Sequence, residues 1–279
     1  MYKRQILYSL DFADEQNGWA VGNSIFHTLD GGTTWTEQAP DVCILNLHDV
    51  YFVDARTGWT VGSGGMILHT SDGGVTWIQQ DSGISNEHLL AVYFTDAENG
   101  WVVGDGETIL RTSDGGRNWN VLSKRHNTLI EHGLPYWQFR DVYFIDEKTG
   151  WIVGGGGTRG VVLYTTDGGN TWTWKQMARL SAVDFADRMT GAAVGNNGTI
   201  LLTTDGGLTW IQTTGAFYGD TLYDIDFVDA YEGWIVGGIE EGIFLHTVDG
   251  GRTWDRQSWR PWSKIMAVSY THLTLPTKA

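Results

Sequence analysis

The chain has 279 residues, a net charge of -15 and a single cysteine, Cys43. An acidic balance with no basic stripe disfavours nucleic acid and anionic lipid as partners, and a lone thiol supports neither a disulfide framework nor a thiolate metal site. With 38 Gly, 15 Trp and only 4 Pro, and no apolar run of about 18 residues that could span a membrane, the composition points to an all-β chain rich in turns and aromatic packing.

In chain order, residues 1–5 (MYKRQ) fall outside any pattern, and a first repeat runs over about residues 7–40. It combines a block beginning at Leu10, in which Asp14 stands four residues before Gly18, with the box TLDGGTTW from Thr28 to Trp35. The second repeat, about 47–82, shows both parts most clearly. VYFVDARTGWTVG (Val50 to Gly62) alternates apolar with other residues at the period of a strand, and TSDGGVTW (Thr70 to Trp77) follows. The box reads as a hairpin tip: Asp72 accepts backbone N–H bonds across a tight turn, and Gly73 and Gly74 take positive-φ positions closed to other side chains. Further copies occupy about 89–123, 139–176, 180–213 and 222–257, with boxes TSDGGRNW (Thr112–Trp119), TTDGGNTW (Thr165–Trp172), TTDGGLTW (Thr203–Trp210) and TVDGGRTW (Thr247–Trp254).

Each repeat supplies four strands: the V-x-F run, the G-W-x-V-G run, and the runs into and out of the box. A four-stranded unit recurring at about 40 to 45 residues predicts a β-propeller blade. The fold expected is one all-β domain, a β-propeller of antiparallel blades with six complete repeats. Lys264–Tyr270 (KIMAVSY) then matches the first strand of a seventh. That strand either closes a six-bladed ring or begins a further blade of a larger one, and the larger ring is favoured. Residues 1–5 and 271–279 are expected to be foreign to the protein's own pattern, so a leader could have been lost.

The twelve repeated aspartates, including Asp30, Asp72, Asp114, Asp167, Asp205 and Asp249 of the boxes, invite a calcium or acid/base reading. Equivalent positions on a ring are too far apart to share an ion or flank one bond, so they are assigned to turns together with Trp35, Trp77, Trp119, Trp172, Trp210 and Trp254. The same separation removes His27, His69 and His246 as a metal set, and His126 with His132 lack a third ligand. Gly154–Gly157 is followed by no phosphate-loop lysine, no nucleophile elbow is present, and no cofactor is called for.

Function is therefore sought on the variable rim, which carries the second-to-third turns and the crossovers between blades. The long crossover Asn120–Arg140 holds Arg125, Tyr136, Trp137 and Arg140; later loops add Arg179, Tyr218, Trp259, Arg260 and Trp262. Arginine and aromatic residues gathered on loops have the composition of a protein or sugar contact surface. Arg140, His48 and Tyr223 share one repeat position just before the V-x-F run and are expected at the channel mouth.

The paired D-x-x-x-G-W-x-V-G blocks and T-x-D-G-G-x-T-W boxes resemble the BNR/Asp-box repeats of the photosystem II assembly and stability factor family, from Leu7 to about Tyr270. That resemblance implies a seven-bladed, non-catalytic propeller of the thylakoid lumen or periplasm that binds assembling membrane-protein subunits. Ala192 departs from it, standing where the other five repeats have the Trp of G-W. Asp boxes also occur in sialidases and xyloglucanases, so a glycoside hydrolase is the competing reading. It would need paired carboxylates in a cleft, for which Glu87, Glu131, Asp220, Glu240 and Glu241 are the loop candidates. A carbohydrate-binding or adhesion module, stacking sugars on Trp137, Trp259 and Trp262, is the third.

Overall fold

A computed structural model describes residues 6–38, 46–123, 137–213, 219–238 and 242–257. Among these, twenty-four strands form six separate four-stranded antiparallel sheets, each built from consecutive strands in sequence order. The first strands are Leu7–Phe12, Leu47–Phe52, Leu89–Phe94, Gln138–Phe144, Leu180–Phe185 and Leu222–Phe227, and each packs on the next around an axis. The fold is a six-bladed β-propeller with the first strand of every blade innermost.

The blades adhere through a pair of aromatics that the repeat supplies. Gly58 opens the second strand of blade 2, and a Cβ there would meet the Phe52 ring at 2.5 Å; glycine leaves that ring room to lie flat. Phe52 then stacks on Trp19 of blade 1, ring centroids 3.5 Å apart. The same contact joins Trp59 to Phe94 at 3.5 Å, Trp101 to Phe144 at 3.6 Å and Trp151 to Phe185 at 3.8 Å. Trp19, Trp59 and Trp101 also donate their indole N–H to Gly73, Gly115 and Gly168 in the box of the next blade. These G-W tryptophans are fully buried, whereas box tryptophans range from Trp77, just buried, to Trp35, 38% exposed. The greater apolar burial thus belongs to the G-W residue rather than to the box indole.

Two interfaces depart from this scheme. In blade 5 Ala192 stands at the tryptophan position, and the small core there is filled with Val194, Ile200, Leu222 and Ile225, with Leu202 packed against it. Between blade 6 and blade 1 the Trp–Phe contact is not made. Trp234 stacks inside its own blade on Phe244 and His246, and Leu7 is 45% exposed while its five equivalents are buried. Lys264–Tyr270 lies outside the described residues.

The inner edges of the first strands carry backbone N–H groups that no further strand can pair, and aspartates satisfy several of them across blade boundaries. Phe52 N donates to Asp11 and Phe227 N to Asp184, both at 2.6 Å; Val92 N donates to Asp49 and Val183 N to Asp141, both at 2.8 Å. They line a channel of about 370 Å³ together with Tyr51, Tyr93 and Tyr143, whose rings follow one another at 4.8 and 5.1 Å. Burial pushes the Asp49 carboxyl up to about 6, against the lowering effect of its bonds from Ser9 and Val92, and burial raises Asp141 well above the usual carboxylate range.

Candidate binding surface at the channel mouth

The two rims of the wheel differ in what their polar groups are doing. On one rim each box turn touches the preceding turn of its own blade, as in Gly73 N to Arg56 O at 2.8 Å. Within the box, Thr76 N donates to Asp72 Oδ1 and the Thr76 hydroxyl to Oδ2, while Thr70 Oγ1 accepts from Gly74 N and donates to Asp72 Oδ1. Gly73 and Gly74 sit at φ +74 and +86. The boxes around Asp30, Asp167, Asp205 and Asp249 repeat these bonds, and that around Asp114 does so with the Asn118 amide in place of the threonine hydroxyl. Side-chain and backbone bonds from Thr171 hold the Asp167 carboxylate down at about 2. Such carboxylates are ionised, bonded and pointed into their own turns, which leaves them no role toward a ligand.

His27 and His246 lie flat on Trp19 and Trp234, and His69 is tilted over Trp59; each histidine packs within its own blade. No cluster of three or more His, Cys, Asp or Glu able to hold a metal occurs among the described residues.

On the other rim, repeat positions that are interchangeable in the fold carry different residues in each blade. The residue before the first strand's buried apolar position is His88 in blade 3, Gln138 in blade 4 and Arg179 in blade 5; the residue after that position is Tyr8, His48, Arg140 and Tyr223 in blades 1, 2, 4 and 6. These side chains form an arc. His48 meets Tyr8 at 5.5 Å and, edge to face, His88 at 5.8 Å, and its ring Nε2 is 3.1 Å from Ser63 Oγ. Gln138 Nε2 donates to Asp105 Oδ1 at 2.9 Å, which orients the amide so that its oxygen faces two guanidiniums. Arg140 Nη2 donates to that oxygen at 2.7 Å and Arg179 Nη2 at 3.2 Å.

One neutral oxygen therefore holds two cations side by side, where a carboxylate oxygen would be electrostatically better suited. Arg140 Nε is in addition buried with no acceptor among the described residues. Desolvation, then repulsion from Arg179, lowers the Arg140 pKa against the pull of Asp105. Burial depresses the pKa of His48, helped by His88 and opposed by Asp105.

The arc is held from below by a residue expected in the contact surface. Trp137 is 5% exposed and belongs to the core with Trp101, Ile109 and Phe139. Gly106 N and Glu107 N both donate to Trp137 O, and Asp105 pairs with Gln138. Those bonds clamp the blade 3 turn to the start of blade 4 and turn the indole inward, so Trp137 is an anchor and not a contact residue. Arg140 and Arg179 do lie at the mouth. Arg125, Tyr136, Tyr218, Trp259, Arg260 and Trp262 fall outside the described residues. So do Glu131, Glu240 and Glu241, while Glu87 and Asp220 stand before blades 3 and 6. His88, Gln138, Asp105 and Tyr8 were not singled out by motif. Their signal is positional: each breaks the repeat at a point where the fold asks for nothing in particular.

Four-stranded blades locked by Asp boxes, with chemically diverse residues at one mouth among the described residues, define the molecule as an Asp-box β-propeller. A family profile, photosynthesis system II assembly factor YCF48, matches residues 2–80, 41–127 and 175–261. These segments cover well over half of the chain, and the chain belongs to that family. The fold is similar to that of YCF48 from Cyanidioschyzon merolae, at 21% identity over 92% of this chain and 87% of that one with a TM-score of 0.71. YCF48 bound to D1 peptide matches at 23% identity, 90% and 80% coverage and a TM-score of 0.69. The GH74 xyloglucanase from Xanthomonas campestris matches at 14% identity over 90% of this chain but 45% of that one, with a TM-score of 0.68. No curated protein sequence matches the chain.

Proposed function

We propose that this protein is a non-catalytic scaffold that docks an acidic segment of a protein partner over the variable mouth of its channel. The observation that carries this reading is the pair Arg140 and Arg179 converging on the single oxygen of Gln138, with Arg140 Nε buried and without an acceptor among the described residues. On a chain of net charge -15 such a cationic point selects for a carboxylate-bearing ligand and orients it, because the remaining surface repels acidic chains. A solved family structure bound to a peptide supports a protein partner over a sugar.

The test is binding of a fluorescein-labelled Glu-rich peptide, followed by anisotropy, to the wild type and to the R140A/R179A double variant. Removing two desolvated charge contacts is expected to cost about 2 kcal/mol or more, roughly thirtyfold in Kd. Equal binding by both proteins would move the site elsewhere. The glycosidase reading rests on the xyloglucanase-like fold; turnover of xyloglucan or a sialoside, abolished by changing Glu87 or Asp220, would replace the scaffold reading.

A further inference from the structure

The mouth has a second half that the arginines do not use. His48 and His88 come from neighbouring blades and meet ring edge to ring face at 5.8 Å. They stand on the same arc as the Gln138 node: Asp105, which fixes the Gln138 amide, also acts electrostatically on both His48 and Arg140. Two imidazoles placed this closely resist both being charged when the site is empty. An anion seated between them and the guanidiniums removes that resistance.

We propose that His48 and His88 make the mouth a proton-linked site, at which an acidic peptide binds together with protons taken up by the histidine pair. This rests on the mouth being the docking surface for an acidic segment. Every group facing the pair bears on the linkage. Tyr8 packs on His48 from blade 1. Ser63, on the turn after the second strand of blade 2, contacts the ring nitrogen and carries no charge. From blade 3, Asp105 favours the imidazolium, and Glu87 adjoins His88 in the chain. Beyond Asp105 on the arc stand Arg140 and Arg179, which meet at Gln138.

With no ligand, burial and then repulsion from His88 outweigh the pull of Asp105 and favour the neutral form of His48. Bound carboxylates reverse the sign of the local field, so the complex binds more protons than the free protein. By linkage, affinity must then rise as pH falls, by up to about tenfold per pH unit for each proton taken up. Histidine is the side chain suited to this between about pH 5 and 8, while peptide glutamates, near 4.3, stay ionised.

The experiment measures the Kd of the Glu-rich fluorescein peptide at pH 7.5 and 5.5 with the whole chain, its H48Q/H88Q variant and R140A/R179A. Circular dichroism at both pH values checks that each is folded. The wild-type Kd is expected to fall about tenfold or more on acidification, and H48Q/H88Q to show the same Kd at both values. H48N/H88N, a second neutral pair, covers the case in which the glutamines disturb folding. A wild-type Kd that does not change with pH, or a histidine variant that keeps the wild-type slope, overturns the proton linkage. If that pH-independent binding is still lost in R140A/R179A, the docking surface stands without the linkage. Absence of wild-type binding at both pH values overturns the docking surface and the linkage with it.

Discussion

The box rim and the channel mouth are built by the same six repeats, yet their polar groups are spent differently. At the boxes each carboxylate is bonded within its own turn, Asp72 to Thr70 and Thr76, and five further blades copy the arrangement. At the mouth two of the bonds run between blades, from Gln138 to Asp105 and from Arg179 to Gln138, Arg140 adds a third from Gln138's own strand, and its Nε has no acceptor among the described residues. Repetition marks what the ring requires of every blade. Where equivalent positions hold Tyr8, His48, Arg140 and Tyr223 in turn, the fold makes no shared demand on the side chain.

If the repeated positions carry stability, the largest losses come from the inter-blade aromatics. Trp101 is fully buried, stacked at 3.6 Å on Phe144 and bonded to Gly168 O. Trp101→Ala is expected to lose about 3 to 5 kcal/mol in chemical denaturation. Trp137→Ala should fall in the same class, about 3 kcal/mol, because its indole is core although it lies at the start of a mouth segment. A loss under 1 kcal/mol in Trp101→Ala would show that the stacked pairs are not what holds the blades together, and the same small loss in Trp137→Ala that its indole is not core.

The channel and the boxes should also titrate in opposite senses. Asp49 is raised to about 6 in the fold from about 3.9 in the unfolded chain, so between pH 4 and 6 the unfolded state releases its proton first. Stability therefore falls through that window and then levels, by about 3 kcal/mol in total. Asp167 is depressed to about 2, so its contribution is complete above about pH 4 and is lost as pH falls toward 2. Denaturation of wild type and Asp49→Asn at pH 4 and pH 7.5 checks the first sense: the variant should show a decline smaller by about 3 kcal/mol, with Asp141 contributing the remainder. An unchanged decline would place the buried charge on Asp141 instead.

Box chemistry is worth less per site, because water can replace it. Asp72→Ala removes the acceptor for Thr76 N and both hydroxyls, a local change comparable to losing a helix cap, and should cost about 1 kcal/mol. Equal losses from Asp30→Ala and Asp205→Ala would confirm that the six boxes act separately. A loss near that of Trp101→Ala would mean that the turns nucleate the blades.

Sequence period and turn chemistry made the blades, their four strands and the boxes legible, because Gly, Asp and Trp recur where backbone geometry demands them. The weight of Trp19, Trp59 and Trp101 over the box indoles was not legible, since both are tryptophans at fixed spacing and only the packed neighbour reveals which is enclosed. Trp137 read as a loop aromatic because its burial depends on backbone bonds from Gly106 and Glu107, in another blade. Gln138 carries no motif at all; its importance comes from standing between Asp105 and two arginines contributed by two blades.

The smallest effect expected is the one that separates the two regions most cleanly. Arg140→Ala deletes a half-buried cation, but Gln138 Oε1 keeps its bond from Arg179 and Gln138 Nε2 keeps Asp105, so no acceptor is orphaned and a buried unpaired Nε is removed. Repulsion between Arg140 and Arg179 disappears as well. The unfolding free energy should therefore stay within about 1 kcal/mol of wild type, as for a surface change, while peptide affinity drops. If instead Arg140→Ala destabilises the fold as much as Trp137→Ala does, the mouth is part of the architecture, and the division between a repeated frame and a variable binding arc fails at its central residue.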